Sequence, residues 1–309
     1  MSPKFSSRKR KDPAREDRIH SVRARRAGGR GGEVPASGGA PRLMDGAMGT
    51  SLIARGIPKD TCLEELNESN PALILEIHRG FISAGAQVIV TNTFGANRVR
   101  LANHVGASAG WPTPLQERVN RKGIQIAREA AAGKAAVFAS IGPGGDKEQV
   151  VALEKEVPDG FLVETMTSLQ DAAAIARAVR EVSDRLLIVS LTFPRGAGGF
   201  VGAPANTSWR APLHEEISRK LRSAGADVIG YNCGAHPKEA YEFLSALKEV
   251  DPGPWLARPA AGTPENLVSP EEFAEWGKRL AALGVTYLGG CCGTTPGHIR
   301  ALKDQNGSS

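Results

Sequence analysis

"NPALILEIHRGFISAGAQVIVTNTF", residues 70–94, holds a complete helix-to-strand junction, and its reading decides the fold. Asn70 is placed as an N-cap and Pro71 at the first helical position, where a missing N–H costs nothing. Gly85 is placed to stop the helix, because a helix ends readily on a residue that tolerates left-handed angles. The run 86–94 that follows is short and nearly continuous in apolar residues, as expected of a parallel strand covered on both faces. The junction recurs: "SAGAQVIVTN" (83–92) and "SAGADVIGYN" (223–232) share seven of ten residues. Such an echo points to repeated strand–helix units.

Strands of the same character are expected over 42–47, 86–94, 135–143, 160–166, 185–193, 226–233, 254–262 and 285–292. The gaps read as helices. The longer ones cover 70–85, 114–133, 168–183 with a Ser168 cap, and 269–284 with a Ser-Pro-Glu-Glu start and a Gly284 stop. Shorter ones fall near 147–156, 212–224, 236–249 and 296–303. Eight strands, each followed by a helix, predict an α/β fold of the (β/α)8 TIM barrel type. An open doubly wound sheet would carry a glycine-rich phosphate turn after its first strand, and "MDGAMGT" (44–50) is not one.

The net charge of +6 is concentrated at one end. Residues 1–42 hold twelve Lys/Arg and four Asp/Glu, which leaves residues 43–309 close to neutral at −2. That Arg/Gly-rich segment lacks apolar periodicity and is expected to be a disordered basic N-terminal extension, for which a solvated role outweighs nucleic-acid contact or transit-peptide function. The expected organisation is therefore an extension at 1–42, a barrel at 43–305 and a tail at 306–309. With no membrane-length apolar run, no h-region and four cysteines, the expected setting is a reducing cytoplasm with free thiols.

In such a barrel, chemistry gathers where strands end and loops begin. Asp45 ends the first strand, Asn92 the second and Glu164 the fourth. Asn232 and Cys233 end the sixth, and Cys291 with Cys292 end the eighth. Neighbouring residues of a strand point to opposite faces, so Cys291 and Cys292 can share a ligand only where the strand breaks. Gly289, Gly290 and Gly293 permit that break. Three thiolates suit Zn2+ and leave a fourth position open, as in a catalytic site. Two other readings stay open: cysteines buried as small hydrophobes, and a closed Cys3His site completed by His236. A zinc ion with three thiolates carries a net −1 charge. It is a poor generator of hydroxide but can hold a substrate thiol as a nucleophilic thiolate. Asp45 and Glu164 are suited to grip an ammonium on that thiol, and backbone N–H groups around Gly46 its carboxylate.

These residues carry a resemblance. "MDGAMGTSL", "TNTFGANR", "ASIGP", "LVET", "GYNC" and "GGCCGTTPGHI", spread from about Met44 to Lys303, resemble the homocysteine S-methyltransferase family. That family includes betaine–homocysteine methyltransferase and the homocysteine-binding module of cobalamin-dependent methionine synthase. The resemblance implies a (β/α)8 barrel, zinc on Cys233, Cys291 and Cys292, and methyl transfer to homocysteine to give methionine. It makes Asp45, Gly46, Glu164 and Asn232 the substrate-binding candidates. A small methyl donor or a separate methyl-corrinoid protein would supply the methyl group. Binding of zinc and thiol with little turnover, or transfer to a different thiol, are the alternatives. Two departures stand out: Ala260 replaces a family Asn after the seventh strand, and only 20 residues separate Pro143 from Glu164. Relatives carry a longer connection there, which helps shape the donor side of the pocket.

Overall fold

The computed structural model describes residues 39–105, 113–193, 211–263 and 266–306. The extension read over 1–42 lies almost wholly outside them, as do residues 307–309 of the tail. Eight strands form one all-parallel sheet: β1 (Arg42–Leu43), β2 (Val88–Val90), β3 (Ala136–Ile141), β4 (Gly160–Met166), β5 (Leu186–Leu191), β6 (Val228–Cys233), β7 (Trp255–Pro259) and β8 (Tyr287–Leu288). Neighbours run in chain order from β2 to β8, and β1 pairs with β8. A parallel bridge from Met44 to Val88 joins β1 to β2 and closes the barrel. The expected (β/α)8 fold is the observed one.

Among the described residues, eight helices surround the sheet: α1 (Pro71–Ser83), α2 (Thr113–Ala131), α3 (Lys147–Glu154), α4 (Leu169–Val182), α5 (Ala211–Ser223), α6 (Pro237–Lys248), α7 (Pro270–Leu283) and α8 (Pro296–Asn306). Helical segments at Met48–Ile53, Leu66–Ser69 and Arg98–Val105 and a small antiparallel ribbon, Gly262–Thr263 with Asn266–Leu267, sit in the loops. None of these was read from the sequence. Ser168 and Ser269 cap α4 and α7, accepting from the N–H groups of Asp171 and Glu272. Asn70 makes no such side-chain bond, contrary to expectation. It also ends the preceding helical turn, its own N–H bonding to the carbonyl of Leu66, and its backbone is not free to adopt the capping geometry.

The echoed junctions have a shared mechanism. Gly85 and Gly225 take φ of +110° and +100°, and the next residue closes the helix through Ala86 N to Phe81 O (3.1 Å) and Ala226 N to Leu221 O (3.0 Å). This is the Schellman stop that glycine favours. One residue further, Gln87 Oε1 accepts from Leu43 N at 3.0 Å, and Asp227 Oδ2 from Leu187 N at 2.9 Å. Asp159 does the same for Val137 N at 2.8 Å. A polar side chain at the foot of a strand thus satisfies a backbone donor of the strand before it.

Alternation sorts the strand residues. Val88, Val90, Phe138, Leu162, Ile188, Val228, Leu256 and Tyr287 fill the barrel with Met44. Ile89, Val137, Phe161, Leu187, Ile229 and Ala257 face the helices. The same parity puts Ser140, Glu164, Ser190, Asn232 and Arg258 inside the barrel, above the apolar layers at the C-terminal end. No helix among the described residues is long and apolar enough to cross a membrane.

One buried group in the helical layer serves packing alone. His78 of α1 is fully buried with neither ring nitrogen hydrogen-bonded, and burial lowers its pKa to about 4. Unfolded, it titrates near 6.5, so between these values the unfolded chain binds the proton that the folded chain refuses. Stability therefore falls as the pH drops from 6.5 towards 4, by about 3 kcal/mol at the lower end. His78→Leu, which keeps the volume and removes two unpaired nitrogens, should flatten that part of a denaturant-midpoint against pH curve without lowering stability at pH 8.

Candidate metal and acceptor site

Two strand ends build the cysteine cluster. At the end of β6, Cys233 adopts φ +63°, unusual for a residue with a side chain, and Gly234 follows at +79°. With this left-handed step the sulfur lies beside those of Cys291 and Cys292. At the end of β8, the chain stops pairing regularly and turns. Cys291 O accepts from Thr294 N at 3.1 Å and from Thr294 Oγ1 at 2.6 Å. Gly293, third residue of that turn, has φ +77°, the position and sign that a type II turn reserves for glycine. Gly290 is required by contact: a Cβ there would lie 2.4 Å from Thr294 Oγ1. The turn carries the two adjacent cysteines out of alternation, and this lets both reach one point.

The three sulfurs lie within 4.8 Å of one another, and Cys233 Sγ is 3.6 Å from Cys292 Sγ. Sulfurs bound to one tetrahedral zinc at about 2.3 Å stand about 3.8 Å apart, so the spacing fits a single ion. Cys233 and Cys291 are half-buried and Cys292 is exposed, which leaves the cluster open to solvent on one side. Hydrogen bonds from Cys233 and Cys291 pull the Cys292 thiol down to about 3, whereas Cys233 is pushed well up by its bonds to the other two and by burial. Three thiolates together need a cation among them.

His236 is not part of the group. Its Nδ1 caps α6, accepting from Lys238 N at 3.1 Å, and its ring stands edge-on to Trp276. The Cys3His reading therefore has no support in the geometry. Cys62 is also elsewhere: it is buried, and burial followed by the Glu64 charge pushes its thiol up to about 11.

Asn232 ties the cluster to the barrel. Its Oδ1 accepts from Thr165 N (2.8 Å) and Ser190 Oγ (2.7 Å). Its Nδ2 donates to Thr165 Oγ1 (2.8 Å) and approaches Cys291 Sγ (3.7 Å). Thr165 itself has φ +59°, where the register of β4 against β5 shifts. Two non-glycine residues in the left-handed region thus flank the same asparagine, a concentration of strain typical of functional sites.

Asp45 and Glu164 do converge, but through a residue that sequence reasoning passed over. Arg258, 4% exposed at the end of β7, reaches Asp45 Oδ1 with Nη2 at 3.0 Å and Glu164 Oε2 with Nη1 at 3.1 Å. The remaining oxygens are also taken: Asp45 Oδ2 by Val90 N (2.8 Å) and Glu164 Oε1 by Ser140 Oγ (2.6 Å). Burial raises Asp45 to about 7 and raises Glu164, with Arg258 opposing both shifts. Two buried carboxylates here share one guanidinium. The sequence signal for Arg258 was its place in "WLARP": two residues after Leu256, it had to face the barrel interior. The Gly46 position is crowded, since a Cβ would meet Thr294 Oγ1 at 2.6 Å and Phe81 at 2.7 Å.

A parallel (β/α)8 barrel with three convergent thiols at the C-terminal rim defines a barrel protein able to hold a metal ion through sulfur. Within that class, the chain belongs to the homocysteine S-methyltransferase family, whose model matches residues 42–305. Methionine synthase of Mycobacterium tuberculosis is 31% identical over 293 residues, which is 84% of this chain and 24% of the relative. Methionine synthase of Mycobacterium leprae is 32% identical over 297 residues, 85% of this chain and 24% of the relative. The chain spans about a quarter of the length of these two relatives. Mouse S-methylmethionine–homocysteine S-methyltransferase BHMT2 is 24% identical over 283 residues, covering 76% of this chain and 70% of the relative. Among solved structures, the metallated form of the homocysteine methyltransferase MmuM from Escherichia coli superposes with a TM-score of 0.70. It is 24% identical, with 87% of this chain and 97% of that chain covered. At that identity the likeness is one of fold.

The geometry makes a direct prediction about sulfur. Cadmium titrated into metal-depleted protein should raise thiolate-to-metal ultraviolet absorption that saturates at about one ion per chain. Cys62→Ser should leave the curve unchanged. Cys233→Ser should lower both its amplitude and the affinity at least about tenfold. Equal curves for the two variants would show that the three sulfurs do not act together.

Proposed function

We propose that this protein is a zinc-dependent S-methyltransferase that moves a methyl group onto the thiolate of homocysteine to give methionine. The observation that carries the proposal is the convergence of Cys233, Cys291 and Cys292 at the mouth of a barrel of this family. When bound there, Zn2+ supplies an open fourth position at which a thiol is held ionised at neutral pH. The chain supplies the rest. Asn232 holds Cys291 through its amide, and the exposed side of Cys292 faces the solvent from which a donor arrives. Asp45, Gly46 and Glu164 form the neighbouring wall, to which we assign the amino-acid end of the acceptor. In the transfer the acceptor sulfur contributes the electron pair of the new S–CH3 bond. The donor leaves with the pair of the bond that breaks, so a donor carrying a positive charge departs neutral.

The donor side favours a second reading for one reason. The connection from β3 to β4 consists of α3 and two short turns, residues 142–159, with Asp146 capping the helix. A link of this length offers few residues with which to build a donor pocket, so binding of zinc and thiol without turnover is the competing account.

The test is a donor screen with zinc-loaded protein and homocysteine, using S-methylmethionine, betaine and methylcobalamin, with methionine measured by mass spectrometry. Turnover with one donor is expected, together with about one zinc per chain. Cys292→Ala should lose zinc and at least about a hundredfold in rate. Methionine formed at an undiminished rate by zinc-free protein would overturn the proposal, and tight homocysteine binding with no methionine from any donor would establish the second reading.

A further inference from the structure

We propose that Glu239 of α6 is a positioning residue for Cys233. Together with the Tyr231 hydroxyl it clamps the left-handed step at the end of β6, and so holds the third sulfur within reach of the ion. The inference rests on the metal-site reading above and names a residue outside the ligand set on which metal affinity depends.

The three sulfurs are not held alike. Cys291 and Cys292 sit in a turn closed by Thr294 and tied to β7 and to Thr50. Cys233 depends on its own backbone, because φ of +63° is costly for a residue with a side chain and Gly234 continues the step at +79°. Left to itself, such a residue relaxes to extended angles and carries its side chain elsewhere. The upstream side cannot relax: Asn232 is held by Thr165 N and Ser190 Oγ, and the Cys233 carbonyl accepts from Ala260 N at 2.9 Å. The downstream side needs a restraint of its own.

Glu239 supplies it. One oxygen, Oε2, accepts from Ala235 N and from Tyr231 Oη, both at 2.9 Å. It thereby joins the residue two before Cys233 to the residue two after it. Both anchors are firm. Tyr231 is fully buried, its ring 6.0 Å from that of Phe193 and 5.6 Å from that of Phe243. Glu239 stands in the first turn of α6, where the helix dipole favours a carboxylate. The fit is close: a Cβ at Gly234 would collide with both Tyr231 Oη and Glu239 Oε2, so the clamp and the glycine require each other. Hydrogen bonds to a charged acceptor are strong ones, and groups that orient a metal ligand govern affinity without touching the ion.

The bland alternative is that Glu239 only caps α6. His236 provides the comparison, since its Nδ1 caps the same helix and its side chain stands outside the two bonds of the clamp. Cadmium affinity of the metal-depleted full-length protein, measured by competition with a chelator, separates the two, with circular-dichroism melting of each metal-free variant alongside. Glu239→Ala should weaken cadmium binding at least about tenfold, the scale for losing a group that orients a ligand. Glu239→Gln keeps an oxygen acceptor in place and should recover most of that loss. Tyr231→Phe removes one of the two bonds and should cost about threefold or more. His236→Ala should lower the melting temperature but leave affinity within about twofold of the wild type. If Glu239→Ala melts early, as His236→Ala does, yet binds cadmium within about twofold of the wild type, Glu239 is a helix cap and the proposal falls while the metal-site reading stands. If Glu239→Ala does not fold, Tyr231→Phe decides, and an affinity equal to that of the wild type overturns the clamp. Wild-type protein that binds no cadmium would overturn the metal-site reading and the clamp with it.

Discussion

Closure of the barrel through one of its two shortest strands is the constraint on which the site depends. β1 has two residues, yet the chain directly after it is bonded on both sides: Met44 N to Leu288 O at 2.8 Å, and Asp45 N to Val88 O at 2.9 Å. Through it, Gly290 N also reaches Asp45 O at 3.0 Å. A sheet left open at this seam would separate Asp45 from Arg258 and would free the end of β8. Closed, it brings residues 45, 164, 232, 258 and 291, drawn from five strands or their ends, to one rim. Closure also explains the glycines of β8. A Cβ at Gly289 would stand 2.8 Å from Asp45 O and from Met44 Cβ, so a side chain there would push the seam apart.

Above the apolar layers the barrel interior becomes a network of charge and hydrogen bonds. Its pieces are coupled. Arg258 is opposed by two carboxylates and lies in the field of the cysteine sulfurs, so the guanidinium stays charged in a place where burial alone would disfavour it. Paired charges of this kind add little net stability, because their desolvation offsets much of the attraction. What they add is position: a planar cation held from two sides has one orientation. The same logic applies to Asn232, whose amide makes bonds on both ends and so fixes Thr165 and Cys291 relative to each other.

The sequence and the structure agree where one physical signal dominates. Continuous apolar runs between helix stops gave the eight strands, because both faces of a parallel barrel are buried. The free cysteines of β6 and β8 were legible because sulfur at strand ends has few structural uses. Loop elements such as Met48–Ile53 were not legible; they are too short for periodicity to show. Asn70 failed as a side-chain cap because a second helical turn, invisible at that length, ends on it. Arg258 was missed for a different reason. A charged residue in an apolar run looks like a strand end; parity with Leu256 turns it inward, and the pairing partners on β4 and after β1, far away in sequence, show it held.

The alternation rule and the cysteine pair finally account for one another. Two adjacent residues of a strand cannot share a ligand, so a site that uses both must give up strand geometry there. β8 does this with a turn that spans Cys291 to Thr294 and keeps its backbone satisfied: Cys291 N bonds to Pro259 O, and Cys292 O accepts from Ala261 N at 2.8 Å. The strand is thus broken without leaving its neighbour β7. The turn is held from above as well, by Gly293 N on Thr50 Oγ1 at 3.1 Å. β6 meets the turn with two successive left-handed residues, Cys233 and Gly234, the first locked by Ala260 N on its carbonyl at 2.9 Å. Both devices lean on the segment after β7, which therefore sets the separation of the sulfurs. The spacing that fits one ion is a property of that segment as much as of the cysteines.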